Sequence, residues 1–239
     1  MNLPNWLTAG RIVAAPFIAW LPFSGSSSLR FTAWALFTIA AITDYIDGYL
    51  ARSRAQETDL GRLLDPFADK LLIVATLIPM FVLTGSGTSA SLFSPLHTPM
   101  VVGAVGAVMK TSGLAAFPFV TPFGLIGLPW WIPAAILGRE AFMSVFRQIA
   151  RNRGVVISAI GPAKWKTAMQ LVWVGSSFFW FFIATVAMNR RWATDAWRYF
   201  AYFNGLVGVF MMVGATVLTL YSLWLYMSRF GRLLGSAAP

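Results

Sequence analysis

Apolar residues fill this chain in long blocks rather than in narrow stripes. Mostly apolar stretches cover about 6–23, 29–51, 61–83, 129–149, 166–188 and 199–227. Each approaches the roughly 20 residues that a helix needs to cross a bilayer's hydrocarbon core. The run Ser24-Gly25-Ser26-Ser27-Ser28 reads as a turn between the first two. The pattern predicts an all-α integral membrane protein with six transmembrane helices. Residues 84–128 break the regularity with Gly85, Gly87, Pro95, Pro99, Pro118 and Pro122, and their apolar run 100–109 is too short to span. They are expected to form a re-entrant or interfacial excursion outside the catalytic core. No repeat of 20–50 residues is visible, so 1–239 reads as one domain with an insertion at about 84–128.

Composition agrees with a bilayer setting: 58% hydrophobic, 11% charged, 11 Trp and 20 Phe, with a mean hydropathy of +0.69. A soluble domain carries about a quarter charged residues. Without cysteine there is no disulfide, thiolate nucleophile or thiolate metal site. The start of the chain lacks the basic stretch of a cleaved signal peptide, so the first apolar run is expected to remain as an anchor. A net charge of +10 could suggest nucleic acid. The basic residues flank apolar spans, however, and no nucleic-acid motif occurs. With the N-terminus in the cytoplasm, 13 of the 18 Lys and Arg fall on the cytoplasmic side, as the positive-inside rule requires. Trp130, Trp131, Trp192, Trp197 and Trp224 suit interfacial belts.

The chemistry concentrates in one place. Six of the eight acidic residues lie between Asp44 and Asp69. Four form the string Asp44-x-x-Asp47-Gly48-x-x-Ala51-Arg52, then Gly61-x-x-x-Asp65-x-x-x-Asp69. Spacings of three and four place Asp44 with Asp47, and Asp65 with Asp69, on single helix faces. A tight connection from Ser53 to Gly61 would let the two pairs meet near the cytoplasmic surface. An ionised Asp facing lipid costs roughly 2.5–3.5 kcal/mol, so the four must line a polar interior together with cations. An oxygen-only ligand set suits hard divalent metals. Two such ions stabilise both the attacking and the leaving oxygen of a phosphoryl transfer, and a carboxylate at the rim can accept the proton of an attacking hydroxyl. Gly48, Ala51 and Gly61 are small enough for a bulky ligand to approach the backbone, and Arg52 can grip a diphosphate. Alternative readings are helix-end acids paired with Arg52, Arg54, Arg62 and Lys70, or an ion pathway. His97, the sole histidine, is read as incidental.

This string resembles, position for position, the signature of the CDP-alcohol phosphotransferase family. The segments Asn5-Trp6-Leu7-Thr8-Ala9-Gly10-Arg11 with Pro16, Asp65-Pro66-Phe67-Ala68-Asp69-Lys70, Arg139-Glu140 with Arg147, and Lys164-Trp165-Lys166-Thr167 with Gln170 resemble its phosphatidylglycerophosphate synthase branch. Two departures are Ala163, where that branch carries glycine, and the insertion. The resemblance implies a six-helix homodimeric membrane enzyme with a polar cavity facing the cytoplasm, at the bacterial inner membrane. It implies two Mg2+ or Mn2+ ions: Asp44 and Asp65 would bridge both, Asp47 would complete one site, and Asp69 would complete the other and act as general base. Gly48, Arg52 and Thr58, with Asn5 and Thr8, would contact the CDP moiety.

The acceptor should be an anionic alcohol. Arg139 and Arg147 are eight residues apart, about 80° around a helix, so both could point into one cavity. Lys164 and Lys166 follow at the next cytoplasmic turn with Arg151 and Arg153, and such a basic surplus attracts a phosphomonoester. Positive-inside topology alone would also place cations there. Glu140 is expected to orient Arg139. The basic cluster does not separate glycerol phosphate from inositol phosphate; the resemblance implies a reaction that joins CDP-diacylglycerol to glycerol 3-phosphate, giving phosphatidylglycerophosphate and CMP. The alternatives are another acceptor (inositol phosphate, phosphatidylglycerol or serine) and an ion-coupled transporter, against which the missing repeat argues.

Overall fold

The computed structural model describes residues 3–54, 59–84, 119–155 and 161–230. At 3–4, 45–54, 59–63, 65 and 162–164 it describes the backbone alone. Six long helices occur among these residues: α1 Leu3–Trp20, α2 Ser27–Arg54, α3 Asp59–Leu83, α4 Trp131–Asn152, α5 Gly161–Asn189 and α6 Asp195–Phe230. A 3-10 turn, Leu21–Phe23, follows α1, and an antiparallel hairpin of β1 Phe119–Thr121 and β2 Gly124–Ile126 precedes α4. The helices flanking the acidic string run further than expected. Ser53 and Arg54 still belong to α2, and Asp59 and Leu60 already belong to α3.

The sequence of α6 shows why these helices suit lipid. Its buried positions include Gly205, Gly208, Ala215, Thr216, Thr219 and Ser222. Its exposed positions include Phe203, Phe210, Val213, Val217, Leu220 and Trp224. Small residues inside and large apolar ones outside reverse the order of a water-soluble helix, and suit helices that pack closely in hydrocarbon. The inward hydroxyls return to their own helix: Thr216 donates to the Met212 carbonyl at 2.8 Å and Thr219 to that of Ala215 at 2.6 Å. These two hydroxyls are thereby satisfied within the helix.

Helices over 5–23, 66–83, 165–189 and 195–230 are long and apolar enough to cross a membrane. α5 packs along α6, α1 lies against both α2 and α3, α2 against α5, and α4 against α6. One core joins them, centred on Trp173, Phe178 and Phe181 of α5 with Phe37, Leu77, Met80 and Ile136.

Two chain reversals at the ends of α4 and α5 share one hydrogen-bond pattern. After α4, Val155 N–H bonds the Ala150 carbonyl at 2.9 Å and Gly154 N–H that of Arg151 at 3.0 Å, with Gly154 at φ 73°. This is a Schellman stop, for which glycine is suited because the left-handed backbone is free of Cβ strain. After α5, Trp192 bonds Ala187 and Arg191 bonds Met188 in the same way, but Arg191 holds φ 51° without being glycine.

The described end of the insertion packs into the bundle. Residues 85–118 lie outside the described residues, but Phe119, Val120 and Leu128 are buried in the main core. A Cβ on Gly205 would fall 1.9 Å from the Val120 carbonyl oxygen, and one on Gly208 2.5 Å from the Phe119 ring. The hairpin is therefore wedged beside α6 some 15 Å from that helix's start, where only glycines admit it. It is an integral part of the bundle, at the end remote from the acids.

Candidate active site

Five residues of interest are laid out by three helices. Asn5, Thr8 and Arg11 recur every three residues on α1, and all three are buried, at 5%, 1% and 3% exposure. Asp44 stands in the second half of α2 and Asp69 in the first half of α3. The Arg11 guanidinium joins them. Its Nη1 donates to Asp44 Oδ1 and, at 3.1 Å, to Asp69 Oδ1, while Nη2 donates to Thr8 Oγ1 at 3.3 Å. Two carboxylates from different helices thus converge on one nitrogen, which puts the two oxygens no more than about 6 Å apart. The guanidinium is buried, whereas Asp44 and Asp69 are about half exposed. The acids form the rim of the site and Arg11 its floor.

Asp47 lies one helical turn beyond Asp44 on α2, and Asp65 one turn before Asp69 on α3. Their side chains, with those of Gly48, Ala51, Arg52, Gly61 and Lys164, and all of Thr58, lie outside what the structure describes. Among the described residues no three His, Cys, Asp or Glu side chains form a metal-holding group. The donor chemistry of the described pair nevertheless fits a hard cation: two carboxylate oxygens meet at a point already occupied by positive charge.

A second polar cluster joins α4, α5 and α6. Arg139 Nη1 donates to Glu140 Oε1 at 2.9 Å and Nη2 to Ser222 Oγ at 3.2 Å. Lys166 Nζ donates to the same Glu140 oxygen. Arg139 and Lys166 are almost wholly buried and Glu140 mostly so. One carboxylate therefore holds two cations, the orienting role expected of Glu140. Arg147 is exposed and makes no ion pair among the described residues. Its guanidinium lies 5.9 Å from the centre of the Tyr226 ring, and that of Arg139 lies 6.0 Å from it. Both guanidinium carbons thus lie within 6.0 Å of one ring centre. Among the described residues the cluster carries three cations against one anion, a net surplus of two charges.

The contacts made by Arg11, Ser222 and Tyr226 had no assigned role in the sequence reading. Arg11 could have been found, since it continues the three-residue spacing of Asn5 and Thr8 onto a buried face. Ser222 and Tyr226 could not, because a serine and a tyrosine four apart on an apolar helix look the same whether they face lipid or neighbour. At the opposite end of the bundle, a cleft of about 470 Å³ lined by Phe179, Ile183, Trp192, Trp197 and Phe200 is aromatic and carries no acid. It has the character of a lipid-facing surface rather than of a reaction site.

Comparison with known proteins adds to this geometry. A family model described as CDP-alcohol phosphatidyltransferase matches residues 1–229. The chain is 31% identical over 181 residues to CDP-diacylglycerol–glycerol-3-phosphate 3-phosphatidyltransferase 2 of Arabidopsis thaliana, covering 72% of this chain and 62% of that protein. It is 33% identical over 177 residues to a probable phosphatidylglycerophosphate synthase of Mycobacterium tuberculosis, covering 73% and 64%. It is 30% identical over 178 residues to the cardiolipin synthase (CMP-forming) of Oryza sativa, covering 72% and 44%. The aligned part spans under two thirds of the length of these relatives. With the family match running across nearly the whole chain and through the helices that carry Asp44, Asp69 and Arg139, this protein belongs to the CDP-alcohol phosphatidyltransferase family.

Proposed function

We propose that the protein transfers a phosphatidyl group from CDP-diacylglycerol to the hydroxyl of glycerol 3-phosphate, giving phosphatidylglycerophosphate and CMP. The observation that carries this reading is the meeting of Asp44 and Asp69, from separate helices, at one cationic point beside buried Asn5 and Thr8. Asp44, Asp47, Asp65 and Asp69 would hold two divalent cations, Mg2+ or Mn2+, which when bound neutralise the diphosphate and the leaving CMP. The chain's own groups do the rest. Gly48, Ala51 and Gly61 leave room for the nucleotide, Arg52 grips the diphosphate, and Thr58, Asn5 and Thr8 contact the CDP moiety. Asp69, at the exposed rim, accepts the proton of the sn-1 hydroxyl as its oxygen bonds to the phosphorus bearing diacylglycerol. The bond from that phosphorus to the CMP oxygen breaks, and CMP departs.

Arg139, Arg147, Lys164 and Lys166 receive the acceptor's phosphate. Arg139 and Arg147 stand eight residues apart on α4, about 12 Å of rise. Within this reading, all six helices cross the membrane, the acids open to the cytoplasm at a bacterial inner membrane, and the protein works as a homodimer. The likeness to a cardiolipin synthase favours one competing acceptor, phosphatidylglycerol. The surplus of two cations favours the phosphomonoester. Purified protein with Mg2+ or Mn2+ should release CMP from CDP-diacylglycerol when glycerol 3-phosphate is added. Release that follows phosphatidylglycerol or another alcohol instead would reassign the acceptor, and no acceptor-dependent release from folded protein would end the proposal.

A further inference from the structure

Tyr226 lies on the last helix, far in sequence from every motif discussed above, and its side chain is 0% exposed. It packs with Met143 and Phe146 of α4, with Leu223 and Phe230 at the edge. A filler of that small apolar cluster needs no aromatic ring. Yet the guanidinium carbons of Arg139 and Arg147 lie 6.0 and 5.9 Å from the ring centre. The two cations stand eight residues, about 12 Å of rise, apart on α4. A tyrosine ring attracts cations to its π face by roughly 0.5–1 kcal/mol at exposed sites, and more where water is excluded.

The partners of the two arginines differ. Arg139 is also held by Glu140 and Ser222. Arg147, exposed and without an ion pair among the described residues, has the Tyr226 ring as its one described cation contact. Like charges at this spacing repel each other and Lys166. The ring gives Arg147 a fixed seat that no described carboxylate occupies, which leaves its charge for an anion.

We propose that Tyr226 is a positioning residue for the acceptor's phosphate, acting through Arg147: its π face holds that guanidinium, which makes no ion pair among the described residues. This rests on the acceptor pocket assigned above and adds α6 to it. The test uses the full chain in detergent, with inorganic phosphate as the calorimetric probe and CMP-release kinetics beside it. Tyr226→Met should weaken phosphate binding and raise the KM for glycerol 3-phosphate by roughly three- to tenfold, the scale of one cation–π contact. The KM for CDP-diacylglycerol should move less than about twofold, on the same scale, and Tyr226→Phe should recover most of the loss. Combined with Arg147→Ala, Tyr226→Met should add little, because both act through one guanidinium. Should Tyr226→Met aggregate, phenylalanines of rising fluorination at position 226 replace it. They keep the ring's shape while weakening its π face, and phosphate affinity should fall stepwise. A flat fluorination series, additive losses in the double mutant, or unchanged phosphate affinity in folded Tyr226→Met overturns the assignment, as does wild-type protein that binds no phosphate. Wild-type protein that binds phosphate but releases no CMP with glycerol 3-phosphate refutes the acceptor identity alone, and the phosphate titrations still decide on Tyr226.

Discussion

Replacing Arg11 by methionine tests how the acidic site balances its charge. In the structure one buried guanidinium nitrogen holds Asp44 and Asp69 together. Two carboxylates about 6 Å apart repel by roughly 3 kcal/mol at an effective dielectric of 20. Both are about half exposed, so solvent screening reduces this to roughly 1–2 kcal/mol. In Arg11→Met the metal-free protein should lose about that much stability. A divalent cation no longer has to displace or tolerate the guanidinium, whose charged hydrogen bonds are worth about 1.5 kcal/mol or more. Mn2+ should therefore bind roughly tenfold more tightly. The assay is a Mn2+ titration followed by electron paramagnetic resonance, together with thermal melts in EDTA and in Mn2+. The gap between the two melting temperatures should widen in the mutant. An unchanged Mn2+ affinity with an unchanged gap would refute the idea that Arg11 and the metal share these carboxylates.

Four further outcomes are expected. Asp69→Asn should cut CMP release by on the order of 10²–10⁴-fold, while CDP binding measured by calorimetry partly survives. Arg147→Ala should raise the KM for the acceptor well above any change for CDP-diacylglycerol, and an equal rise for both substrates would disprove the pocket. Glu140→Gln leaves Arg139 and Lys166 buried without their shared anion. It should destabilise the protein by about 3–5 kcal/mol, seen as a lower melting temperature with or without substrate. Gly205→Val must drive the backbone of Val120 aside, since even a Cβ would meet its carbonyl oxygen at 1.9 Å. A stability loss of about 1–3 kcal/mol is expected, and a melt matching the wild type would contradict the packing of the hairpin.

Much of the molecule is legible along the chain because hydrocarbon is a severe solvent. Blocks of apolar residues must be helical there, so the apolar blocks locate all six described helices to within a few residues. Aspartates inside such blocks must serve a polar site, which singled out Asp44 and Asp69 before any geometry. The string with its glycines and Arg52, and the Asn5, Thr8 and Arg11 spacing, identify the family by themselves. Tertiary structure decided matters in which distant segments meet. Burial of the strand Phe119–Thr121 against Gly205 and Gly208 depends on two glycines more than eighty residues away, and no local pattern marks a strand within a helical bundle. In sequence Arg11 is one more cation in the first apolar block, and only the approach of α2 and α3 to α1 turns it into the counter-ion of two acids. The same holds for Tyr226. Hydrophobicity states that a residue leaves water, but not whether it meets lipid or an arginine, because both environments reward the same ring.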